Sequence, residues 1–306
     1  MMNNAKNLSD TRGNSLGIGF FRMLLGFFGP RAAGLFVWFV AFFYALFDRE
    51  ALHSATPYLK SVFPNCGFLG LRWHFYRLIV SQGQAIVMAY WSRSGHSSPI
   101  KEYNRDKLDE LLRECNSGLI LLISHAGCWQ AALQFLGGYG RRVNLLIQMN
   151  SNMEIARLFN HELMTVIDNG GPFGGLLECT AAIERGEIVC IMGDRAVDEA
   201  ERAIPMAVHG RNMDVPASPW VLAAKCKCPI VPVFSMMNGN AAGIDFFFSE
   251  PIHVGFDLPR KPNNDDLSPF IRLYAKQLEK MMINYPYQIF HFSPLINNNK
   301  GDRKHG

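Results

Sequence analysis

Apolar positions recur at helical spacing through most of the first third of the chain. From about residue 119 they condense into short continuous runs. The first arm, Leu16–Phe28, is apolar apart from Arg22. The second, Ala32–Phe47, is sixteen residues without a charge, and Gly29-Pro30 separates the two. Together they predict an apolar helical hairpin. Arg49–Val62 carries Ala51, Leu52, Ala55, Leu59 and Val62 at helical spacing, with Pro57 as a candidate kink. Asn65–Tyr90 predicts a long helix with Phe68, Leu71, Phe75, Leu78 and Ile79 on one side. Asp106–Cys115 is a short charged helix that stops at Asn116-Ser117-Gly118. Then come the runs Leu119–Ile123, Val143–Gln148, Ile188–Met192, Pro229–Phe234 and Ile244–Ser249, each of a length and apolarity that predicts a buried strand. Helical patterns alternate with them at Ala131–Leu136, Asn152–Leu163, Leu176–Glu184, Pro219–Lys225 and Leu267–Ile283, with breaks at Gly137–Gly140 and Gly170-Gly171-Pro172. Strands alternating with helices predict an α/β fold whose sheet is covered on both faces.

Composition sharpens this picture in two places. Charged residues are 18% of the 306-residue chain and hydrophobic ones 49%, whereas about 25% charged is usual for a soluble globular protein. Much of the excess apolarity lies in the first fifty residues. Residues 32–47 as a helix would span about 24 Å against a hydrocarbon core of ~30 Å, which is marginal for a crossing. Two readings of the block stand: a buried core hairpin, or an anchor at a membrane face. Phe36, Trp38, Phe39, Phe42, Phe43, Tyr44 and Phe47 favour the interface. Lys6, Arg12, Arg22 and Arg31 would hold the N-terminus cytoplasmic if the block crossed. The expected organisation is a flexible N-terminus (1–15), a membrane-associating helical segment (16–62), one α/β domain (63–296) and a polar disordered tail (297–306), since no Pro/Ser/Gly-rich linker divides the chain.

The net charge of +4 suits an anionic membrane surface or an acidic carrier protein; it is too mild to predict nucleic-acid binding. Seven cysteines at irregular spacing argue for a reducing compartment rather than a disulfide scaffold. Cys226-Lys-Cys228 lacks the second ligand pair that zinc needs, so no metal is expected.

Candidate chemistry gathers where apolar runs end. Leu119–Ile123 delivers Ser124-His125, and Gly127 follows. A histidine at a strand end is a natural general base, and it functions best with a carboxylate on its other ring nitrogen; the alternative is a hydrogen-bonded structural histidine. The local candidate partner is Gln130, whose amide can orient the ring but carries no charge. Ile188–Met192 runs into Gly193-Asp194-Arg195, which brings an acid and a cation to the same expected sheet edge; the alternative is a surface ion pair. Val208–Pro219 precedes a helix, with Ser218 as expected N-cap and Pro219 in the first turn. Arg211 within it is either an anion ligand or a solvated charge.

In order, these segments resemble the lipid A biosynthesis lauroyl/myristoyl acyltransferases and their lysophospholipid-acyltransferase-type relatives. The family motif of histidine, four residues, then Asp or Glu maps onto His125-Ala126-Gly127-Cys128-Trp129-Gln130. Met192–Arg195 fits the second block. Gly210-Arg211 through Pro219, with Pro229–Phe234, fits the third, where Ser218 stands in place of a usual glycine. Tyr285-Pro286-Tyr287-Gln288-Ile289-Phe290 resembles the closing segment. The resemblance implies a central mixed sheet flanked by helices, no cofactor, and location at the cytoplasmic face of a bacterial inner membrane. It implies transfer of a fatty acyl group from an acyl-carrier-protein or coenzyme A thioester to a lipid or glycolipid acceptor. His125, Gln130 and Asp194 map to the catalytic positions, and Arg195, Arg211 and Ser218 to substrate binding. Gln130 leaves three explanations open. Another acid, Asp194 first among them, serves His125 in space; the acceptor demands less base strength, as an amine would; or the chain is a silent homologue that binds lipid or supports a partner. A Cys128–His125 nucleophile is a further idea.

Overall fold

The computed structural model describes residues 33–93, 98–114, 117–130, 136–147, 164–195, 201–238, 243–255, 258–259 and 261–290. The expected flexible N-terminus (1–15), first hairpin arm (16–28), most of the helix at 131–136, the helix at 152–163 and the polar tail lie outside the described residues.

Helix α1 runs from residue 33 to residue 47. Ala33, Val37 and Ala41, four residues apart, form its buried stripe and pack with Val80 and Val87. These two belong to α3 (Phe68–Arg93). At Gly83 of α3 the helices are so close that a Cβ would stand 2.6 Å from a methyl of Val37. The described arm of the expected hairpin is thus held by α3. Much of the rest of α1 faces outward: Leu35, Phe39, Phe42, Phe43 and Phe47 are exposed. Phe68, expected on one side of α3 with Leu71, Phe75, Leu78 and Ile79, is also exposed, with Leu69 and Trp73 beside it. Among the described residues no helix is long and apolar enough to cross a membrane. Helix α2 (Arg49–Val62) begins with the Asp48 carboxylate accepting from the Ala51 N–H, and it stays helical through Pro57.

The core is an eight-stranded mixed sheet. Its strands are β1 (Ile100–Tyr103), β2 (Leu119–Ile123), β3 (Val143–Ile147), β4 (Met164–Asp168), β5 (Ile188–Met192), β8 (Pro229–Met237), β9 (Ile244–Phe248) and β10 (Ile252–His253). The order is β1-β9-β8-β2-β5-β3-β4, with β10 also on β8. Every pairing is parallel except β8 with β9 and with β10. All five residues of β2 are buried. Ile120 and Leu122 enter one core, which contains residues of α2, α5 (Leu176–Glu184), α6 (Ser218–Cys226) and α7 (Asn264–Asn284). Leu119, Leu121 and Ile123 enter a second core with Leu108 and Leu111 of α4 (Arg105–Glu114). A strand buried on both faces has no polar alternation to show, which is why its pattern is a continuous run.

The segment before α6, read from sequence without strands, is a hairpin of β6 (Ala203–Val208) and β7 (Arg211–Pro216). His209 and Gly210 form its two-residue turn, with φ of 48° and 73°. Positive φ at both central positions is the turn that matches strand twist. The edge strands β1 and β4 were likewise unassigned in the sequence; both are short and only partly buried.

Candidate active site

β2 and β5 are parallel neighbours, and their last residues, Ile123 and Met192, are register partners. Two residues beyond each lie His125 and Asp194. Parallel strands that stop in register deliver equivalent positions to the same edge, so the pairing brings together two side chains 69 positions apart in the chain. Gly193 permits it: a Cβ there would stand 2.4 Å from Leu122 Cγ, and its N–H donates to Ile123 O at 2.9 Å.

The Asp194 carboxylate holds His125 twice. Oδ1 lies 2.9 Å from His125 Nδ1, and Oδ2 accepts from the His125 backbone N–H at 2.7 Å. A carboxylate only accepts, so Nδ1 carries a ring proton, and in the neutral imidazole Nε2 presents its lone pair. Asp194 is 1% exposed while the His125 side chain is 24% exposed, so the carboxylate is shut away and the imidazole reaches outward. The Trp129 ring meets the imidazole edge-on, with centroids 6.3 Å apart. Tyr274 of α7 lies buried near Asp194; burial first, then the Asp194 charge, holds its phenol well above the usual pKa and therefore protonated.

Past His125 the chain turns sharply at Gly127, whose φ is +56°. A Cβ there would fall 1.9 Å from Ser235 O, so no other residue fits without displacing β8. The loop is clasped on both sides: Cys128 N–H donates to Ser235 O at 2.7 Å, Gly127 N–H to Gln288 O at 2.7 Å, and Phe290 N–H to His125 O at 2.9 Å. Cys128 is buried, with its thiol 3.4 Å from Ala85 O of α3. That direction gives no support to the Cys–His nucleophile.

The remaining expected site residues separate. Gln130 is half-buried just beyond the loop, and among the described residues no hydrogen bond joins it to His125. Arg195 follows Asp194, half-buried and without a hydrogen bond or ion pair among the described residues. Arg211, at the start of β7, lines a water-sized cavity of about 20 Å³ with Tyr58, Met213, Leu278, Met282 and Ile289. Its Nη1 is buried without a partner among the described residues, and burial draws the guanidinium below its ordinary pKa. Ile289 pairs with Ala126, so this cavity abuts the His125 loop. Ser218 is not the N-cap: Ala217 holds that position, and the Ser218 hydroxyl bonds Glu201 Oε1 at 2.7 Å. The hairpin before α6 sets the entry so that Ser218 is already the first helical residue. Gln288, whose motif stood out in the sequence without a role, is the contact that residue-by-residue reasoning left unassigned.

A strand-end histidine backed by a buried carboxylate, on a mixed α/β sheet, is the construction of a general-base transferase or hydrolase. The chain belongs to the bacterial lipid A biosynthesis acyltransferase family, whose model matches residues 2–296. A comparison with curated proteins gives no match.

Proposed function

We propose that the chain is a membrane-associated acyltransferase in which His125 is the general base and Asp194 its carboxylate partner. The acyl group passes from an acyl-carrier-protein or coenzyme A thioester to a lipid or glycolipid acceptor at the cytoplasmic face of a bacterial inner membrane. The observation that carries this reading is the twofold contact of Asp194 with His125. It supplies the charge that Gln130 lacks, and so removes the motive for reading the chain as a silent homologue.

In the mechanism, His125 Nε2 takes the proton of the acceptor hydroxyl or amine as that atom attacks the thioester carbonyl. Asp194 stabilises the imidazolium that forms. The tetrahedral intermediate collapses with loss of the thiolate, which takes up from His125 the proton that came from the acceptor, so no acyl-enzyme is needed. Arg195 beside Asp194 and Arg211 with its unpartnered Nη1 are the cations available to a phosphate on acceptor or donor, or to the developing oxyanion. The domain division follows the same logic. Residues 16–62 seat the protein on the membrane through the outward aromatic face of α1, joined by Phe68, Leu69 and Trp73 of α3. Residues 63–296 carry the chemistry.

The test is His125→Ala. The variant folds, loses acyl transfer, and fails to restore the acylated lipid that the parent restores to cells lacking the protein. Unchanged turnover would sink the mechanism, and the lost lipid species names the acceptor.

A further inference from the structure

Beyond its motif histidine, the site depends on a segment more than 160 residues further along the chain. Where β2 ends at Ile123, its neighbour β8 continues to Met237. The backbone of Met237 is thereby left facing a place where β2 no longer runs. The Gln288 side chain fills it: Met237 N–H donates to Gln288 Oε1 at 2.8 Å, and Gln288 Nε2 donates to Met237 O at 2.9 Å. A primary amide offers an acceptor oxygen and, in one of its two N–H groups, a donor beside it, as a peptide group does, so it completes the edge as the next strand residue would. The Gln288 carbonyl meanwhile takes the Gly127 N–H, and Phe290 N–H reaches His125 O. The same segment is tied to the helices on its other side. Tyr58 O–H donates to Pro286 O at 2.7 Å, and Tyr287 O–H lies 2.8 Å from His74 Nδ1.

We propose that Gln288 is a positioning residue for His125: its amide locks a strap, residues 286–290, that sets the backbone of the His125 loop so that Nδ1 meets Asp194. The Asp194 carboxylate reads both the ring and the backbone N–H of His125, so a shift of the loop by a fraction of an ångström loosens both bonds together. Methionine at 288 keeps the length and apolar stem of glutamine but loses the amide. The strap then retains its backbone bonds and loses the pair of bonds that registers it on β8.

The experiment compares the full-length parent, Gln288→Met, Gln288→Glu and Asp194→Asn, with two readouts. The first is nitrogen and proton resonance of ¹⁵N-histidine-labelled protein, which follows the hydrogen-bonded Nδ1 proton of His125, assigned by its loss in His125→Ala. That proton should be broadened or lost in Gln288→Met and in Asp194→Asn, and weakened in Gln288→Glu, which keeps an acceptor for Met237 N–H. The second readout is acyl transfer. It rests on the reaction proposed above, and Gln288→Met should lower kcat by about 10²-fold, the scale for misplacement of a catalytic group by about 1 Å, with the KM for the thioester within about threefold of the parent. A folded Gln288→Met or Gln288→Glu protein with an unchanged Nδ1 resonance overturns the positioning role. A resonance lost on schedule in a protein that transfers no acyl group overturns the assigned reaction and leaves the positioning role intact.

Discussion

Replacing Asp194 with asparagine isolates the step on which the mechanism turns. The carboxylate accepts from the backbone N–H of His125 at 2.7 Å on one oxygen and from Nδ1 at 2.9 Å on the other. Asparagine is isosteric but has a single acceptor. The backbone N–H can only donate, and leaving it buried against an amide NH₂ would cost about 1–3 kcal/mol. The amide oxygen therefore turns to the backbone, and the NH₂ group faces Nδ1. The ring must then accept at Nδ1 and carry its proton on Nε2, where the acceptor's proton was to go. A wrong tautomer of this kind costs about 10⁴-fold in turnover elsewhere, or about 5.5 kcal/mol at ~1.36 kcal/mol per decade. An independent route gives a similar scale: the attraction between imidazolium and carboxylate at about 4 Å is about 4 kcal/mol at an effective dielectric of about 20. These are two views of one effect and do not add. The expected loss is thus about 10³ to 10⁴-fold in the initial rate of thiol release from an acyl thioester in the presence of lipid acceptor. The melting temperature should stay within a few degrees of the parent. A folded Asp194→Asn variant that turns over within tenfold of the parent would refute the claim that Asp194 sets the state of His125.

Three further outcomes follow from the same geometry. Gln130→Glu should keep or raise turnover, because Nδ1 is already occupied by Asp194 and residue 130 makes no bond to the ring; a loss beyond tenfold in the thiol-release assay would give glutamine a role of its own. Arg211→Met should leave thermal stability unchanged or raise it by about 1 kcal/mol, since it removes a buried donor that has no partner, while raising the KM for a phosphorylated acceptor; a drop in stability with an unmoved KM would make Arg211 structural. Phe39, Phe43 and Phe47 changed together to serine should release the protein from vesicles of anionic lipid without altering its melt, because each exposed ring withdrawn from water is worth about 1.5–3 kcal/mol; a triple variant that still sediments with vesicles would remove α1 from the membrane contact.

The parts of this molecule legible from sequence were those whose signal is local. β2 and β5 stand out within the residues printed, since a strand buried on both faces is a continuous apolar run, and the bounds Leu119–Ile123, Ile188–Met192 and Arg49–Val62 agree with the structure. The two polar tips, Ser124-His125 and Gly193-Asp194, also stand out in the sequence, and the structure places them in hydrogen-bond contact. The short edge strands β1 and β4 and the β6–β7 hairpin carried no such signal, because half-exposed strands mix polar and apolar residues as loops do. Ser218 resembled an N-cap because serine before proline usually is one; the incoming hairpin moved the cap by one residue.

What the sequence determined by itself, then, was the inventory: a strand-end histidine, several acids and cations, and the strands that end beside them. What only the tertiary structure decided was the pairing. Parallel register between Ile123 and Met192 converts a separation of 69 residues into a 2.9 Å hydrogen bond, and the Gln288 amide on Met237 ties in a segment lying further still along the chain. Sequence spacing carries no information about which strands become neighbours. That is settled when the two apolar faces of β2 are buried at once, and the buried carboxylate that completes His125 is one consequence of it.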